Sequence, residues 1–82
     1  MDIQIYSQHY ASDGKWGVCV TILEEEGFEA PADMRASLKA MIDRLYNEDG
    51  GTIATTILQE VMGAVSVEVR HLYGPTVIAR KE

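Results

Sequence analysis

Only one cysteine, Cys19, occurs among the 82 residues, so the chain can form neither an internal disulfide nor a multi-cysteine zinc site, which fits a reducing compartment. Cations are also scarce. Seven Lys and Arg stand against 13 Asp and Glu, a net charge of −6, which repels nucleic-acid phosphates and steers the molecule towards basic partners. No apolar run exceeds five residues, so no helix is expected to cross a bilayer. Met1-Asp2 leads into alternating polar and apolar residues, without the basic and apolar regions of a signal peptide, and the expectation is a cytoplasmic protein. No glycine-rich phosphate loop and no His-Glu helix motif occurs.

What is present is the composition of one small globular domain over residues 1–82, with 46% hydrophobic and 24% charged residues. A single core of this size supplies only about 3–5 kcal/mol. A homodimer, or a stable complex with another protein, is therefore favoured from the outset.

Two hydrophobic periods define the fold. Residues 3–23 alternate with period two, and Asp13-Gly14 matches a two-residue hairpin turn. With those two residues as the loop, His9 faces Val18, Ile5 faces Ile22 and Ile3 faces Glu24. One face then carries Ile3, Ile5, Trp16, Val18, Val20 and Ile22. The other carries Gln4, Tyr6, Gln8, Tyr10, Lys15, Gly17, Cys19 and Thr21.

Residues 31–46 repeat with helical period. Met34, Leu38, Met41, Ile42 and Leu45 form the apolar face, and Arg35, Lys39, Asp43 and Arg44 lie away from it. Pro31 suits the first helical position, Asp33 the first turn, and residues 47–51 the stop. Residues 52–63 satisfy both periods; Ile53, Ile57, Leu58, Val61 and Met62 favour a second helix over a strand, with Gly63 as its stop. Val65, Val67 and Val69 alternate as a strand, Tyr73-Gly74-Pro75-Thr76 turns the chain, and residues 77–79 close it. The expected fold class is α+β: an antiparallel sheet made of N-terminal and C-terminal hairpins, with two helices packed on one face, in the order ββααββ.

Catalytic combinations are weak. Cys19 and His9 point to opposite faces, and His71 shares the core-side row of its strand, so a buried, hydrogen-bonded histidine is the simpler reading. Ser7 needs a base, and His9, two positions along the strand, stands about 7 Å away. Residues 47–50 carry the oxygen-rich side chains of a calcium loop without its ligand spacing. No enzyme activity, cofactor or metal is expected.

Two features point to binding. Tyr6 and Tyr10 stand about 13 Å apart on one strand face, flanked by Gln4 and Gln8, where a solvated face normally holds charged residues. Glu24, Glu25, Glu26 and Glu29 form an acidic run beyond the hairpin, with no cation between Lys15 and Arg35. These residues suit a partner protein with a basic or nucleic-acid-binding surface. In size and composition the chain resembles inhibitors carried by phages and mobile elements, including anti-CRISPR proteins. The alternatives are a sheet platform for single-stranded nucleic acid, which Lys15, Arg70, Arg80 and Lys81 would have to serve, and a module that dimerises through the tyrosine face.

Overall fold

The computed structural model describes residues 2–11, 14–45, 48–71 and 76–81, with the side chains of 8–11 and 14–16 left outside that description. Strands β1 (Asp2–Ala11) and β2 (Gly14–Glu24) are followed by helices α1 (Met34–Arg44) and α2 (Gly50–Glu60). Strands β3 (Ala64–His71) and β4 (Thr76–Arg80) complete the order ββααββ. All pairings are antiparallel, and the sheet order is β1-β2-β3-β4. Overall extents of 42 × 26 × 16 Å describe a two-layer slab, with both helices on one side of the sheet.

The alternation in the first hairpin sorts residues as expected. Ile3, Ile5, Val18, Val20 and Ile22 are buried beneath the helices, whereas Gln4 and Tyr6 are exposed on the other side. The pairing itself is shifted by two residues from the expected one. Ile5 lies opposite Val20, Ile3 opposite Ile22, and Ala11 opposite Gly14, so only residues 12 and 13 lie between the strands. A shift of two keeps every side chain on its face, whereas a shift of one would invert them all. Gly14 therefore belongs to β2 and not to the expected Asp13-Gly14 loop, and Thr76, read as the end of a turn, opens β4. Residues 12–13 and 72–75 and the inward position of Trp16 fall outside the described residues.

The α2 region is helical, as Ile53 and Ile57 suggested, but it begins at Gly50, within the stretch read as a stop. Asp49 explains the early start: its carboxylate accepts from the Thr52 amide at 2.7 Å and from the Thr52 hydroxyl at 3.1 Å. This satisfies amide groups that a helix start otherwise leaves bare, and it holds the Asp49 carboxyl below the ordinary aspartate range. Gly50 then allows close approach to the sheet, since a Cβ there would lie 3.2 Å from the His71 ring and from Val77.

At its start α1 also differs from expectation. Pro31 is not its first residue; the Met34 amide donates to the Pro31 carbonyl, and Asp33 occupies the cap position without a side-chain bond. Arg35, Lys39 and Asp43 do not simply face solvent, because α1 lies over the edge strand β1 and turns this flank towards it. An Arg35 guanidinium N–H donates to the Gln4 carbonyl. Lys39 donates to the Ser7 hydroxyl at 3.0 Å, and that hydroxyl donates to Asp43 at 2.6 Å.

In β3 a bulge changes the phase of the alternation. Leu23 pairs with Ser66 but Glu24 pairs with Ala64, so Val65 is supernumerary. Ala64 is therefore buried and Val65 exposed, while Val67 and Val69 remain in the core.

Candidate functional site

Among the described residues the helices leave one face of the sheet uncovered. On this face Tyr6 lies in a cross-strand row with Cys19, Arg70 and Thr76, and Gln4 in the next row with Thr21, Glu68 and Ile78. A third row holds Asp2, Leu23, Ser66 and Arg80. Tyr6 is 58% exposed, Leu23 43% and Ile78 49%, so apolar area recurs across three strands. A shallow depression of about 190 Å³ lies among Gln4, Cys19, Thr21, Glu68 and Arg70. Gln8 and Tyr10 belong to the same strand, and their side chains are outside the described residues. Leu23 and Ile78 were missed in the sequence because each follows or precedes an inward apolar neighbour and reads as a continuation of the core.

The acidic run does not join this face as a unit. Glu24 is only 3% exposed, on the helix side, and neither carboxylate oxygen has a hydrogen-bond partner among the described residues. It is therefore no surface contact in this conformation, although it was counted with the exposed run. Glu25 forms an ion pair with Lys81 at 3.5 Å, Glu26 is exposed, and Glu29 reaches the helix layer. Glu24 and Glu29 thus lie on the helix side of the sheet, away from the row of Tyr6.

Around that segment two similar turns are joined. Phe28 donates its amide to the Glu25 carbonyl, Ala64 donates to Val61, and the third position of each turn is a glycine with φ +84°. The Glu25 amide donates to the Gly63 carbonyl at 2.7 Å. Phe28 lies so close over Gly63 that a Cβ there would stand 2.6 Å from its ring. Beside this junction runs a groove of about 510 Å³ between the flank of α1 and the end of α2, lined by Phe28, Pro31, Met34, Leu38, Met41, Val61 and Met62, with Glu29, Asp33, Ser37 and Glu60 contributing the polar part. Met34 and Met41 lie on the expected apolar face and pack against the core in part; the groove depends on how α1 sits beside the end of α2, which no local spacing encodes.

Catalytic groups are poorly placed. Ser7 does meet Lys39 and Asp43, a combination drawn from chain segments more than 30 residues apart. Yet the residue is only 1% exposed, so its hydroxyl fastens β1 to α1 and offers no path for a substrate. His71 pairs in register with buried Val18 while Cys19 lies on the open face, keeping thiol and imidazole on opposite sides. The simpler reading of His71 is half met: the ring packs against Gly50, but its buried Nε2 lacks a hydrogen-bond partner among the described residues. No group of three or more His, Cys, Asp or Glu suited to a metal occurs among the described residues, and no described helix is long and apolar enough to cross a membrane.

No protein-family model, curated protein or solved structure matches the chain.

Proposed function

We propose that this chain is a protein-interaction module that acts by occupying the surface of a partner protein, as an inhibitor or regulator, and that the uncovered face of its sheet makes the contact. The observation that carries this reading is the exposure of Tyr6, Leu23 and Ile78 in adjoining rows of a face that no helix covers. Tyrosine is a frequent anchor at protein interfaces, and the neighbouring Gln4 and Thr21 can exchange hydrogen bonds without a large desolvation cost. The net charge of −6 favours a partner with a basic surface, including one that ordinarily takes nucleic acid. The size and acidity are those of phage and mobile-element inhibitors of the anti-CRISPR kind, which is the finer form of the proposal.

Direct binding of nucleic acid is disfavoured by the fate of its cations. Arg70 pairs with Glu68 at 3.6 Å and Lys81 with Glu25 at 3.5 Å, which blunts the positive potential a phosphate backbone requires.

The test combines Tyr6→Ala with Tyr10→Ala. Circular dichroism should remain that of the parent protein, because Tyr6 is exposed. Proteins retained from the native host by the parent should be lost by the double variant and by Leu23→Asp with Ile78→Asp. Retention of the same proteins by both variants refutes the contact face. A low-salt oligonucleotide titration with measurable affinity would favour the nucleic-acid alternative, and light scattering at the mass of a dimer would favour self-association.

A further inference from the structure

The groove between α1 and the end of α2 is separate from the open sheet face, and we propose that it is a docking site for a basic amphipathic helix of a partner protein. Three of the four methionines of the chain, Met34, Met41 and Met62, line it. Met62 is 83% exposed and lines the same groove as the half-buried Met34 and Met41, so the three form one apolar lining rather than scattered side chains. Unbranched thioether side chains adapt to ligands of different shape, which is why they recur where helices are gripped.

Charge defines the occupant. Every ionisable residue lining the groove is acidic: Glu29, Asp33 and Glu60. Of the three cations of α1, Arg35 and Lys39 are bonded to β1 and Arg44, in the last turn, does not line the groove. An apolar floor inside an acidic rim is complementary to a segment with leucine-like anchors on one face and lysine or arginine beside them. The walls favour a helix over an extended strand. Two of them are helical and use their backbone groups internally, and Pro31 offers no amide, so an extended guest would find few partners for its own backbone. One wall is also prearranged, since Phe28 is seated on Gly63 before any ligand arrives.

The probe is a fluorescein-labelled helical peptide of leucine and lysine, about 18 residues long, followed by anisotropy. Two controls accompany it: a leucine–glutamate peptide of the same pattern, and a lysine–serine peptide without an apolar face. The leucine–lysine peptide should bind, and both controls should bind at least about tenfold more weakly, because each lacks one half of the complementarity. Glu29→Lys with Glu60→Lys, and separately Met62→Ala, change exposed residues and should each weaken binding without altering circular dichroism. In methyl-labelled protein the resonances of Met34, Met41 and Met62 should shift on titration. Equal binding of the three peptides, unchanged affinity in the charge-reversed variant, or stationary methyl signals would overturn the assignment. So would methyl shifts that follow protein concentration alone, which would make a second copy the occupant. The Tyr6→Ala, Tyr10→Ala variant separates this site from the proposed contact face: it should keep its affinity for the peptide. Loss there, with retention in the groove variants, would move the peptide to the sheet.

Discussion

The two helices cover the same sheet by different physical means. α2 lies over β3 and β4 and buries Gly50, Ile53, Ala54 and Ile57, a mostly aliphatic strip seated on Val67 and Val69. α1 buries Leu38 and Ile42, packs Met34 and Met41 against the core only in part, and is tied to β1 also through the polar bonds of Arg35, Lys39 and Asp43. The first arrangement encloses its aliphatic strip. The second leaves a flank of methionines uncovered, and there the groove forms. A helix held at its edge can keep an apolar surface available, whereas a helix held by its apolar face cannot.

The strongest test of this contrast removes one aliphatic side chain from each helix. Ile57→Ala should cost about 2–5 kcal/mol in urea denaturation, because its fully enclosed site cannot collapse. Leu38→Ala should cost less, since that residue borders the groove and neighbouring methionines can fill the space. Equal losses would break the comparison. Gly63→Ala should follow in size, at about 1–3 kcal/mol, from a left-handed backbone and a collision with Phe28. Thermal unfolding measures the loss, and a variant as stable as the parent would mean that the junction of the two turns yields easily.

The smallest effect concerns the start of α2. The bonds from Thr52 depress the Asp49 pKa, so its stabilising contribution is present above the unfolded value near pH 4 and is lost as the pH falls through the lower folded value. The melting-temperature gap between the parent and Asp49→Ala should therefore be widest near neutrality and should close in acid. A gap independent of pH would show that the carboxylate charge contributes nothing to the cap.

Periodicity made the layer assignment legible, because strand parity and helical spacing are local properties. Two-residue register shifts leave parity untouched, which is why the pairing of Ile5 with Val20 was invisible. The bulge at Val65 was equally hidden, since nothing in Ala64-Val65-Ser66 distinguishes a continuous strand from an interrupted one. Glu24 shows two signals in conflict: parity places it beside Ile22 on the inner face, its charge places it outside, and the fold follows parity. For the candidate surfaces, Tyr6 and Gln4 could be read from alternation alone. The groove and the Ser7–Lys39–Asp43 latch could not, because each joins residues that meet only after α1 has docked.

The extra residue in β3 also sets where the chain tolerates a change of length. Loss of Val65 would restore simple alternation between Ala64 and Ser66 and leave Val67 and Val69 in phase with β2. A deletion a few positions later would turn the remainder of the strand over, exposing one valine row and burying Arg70. Natural variation in length along this strand should therefore gather at a single point.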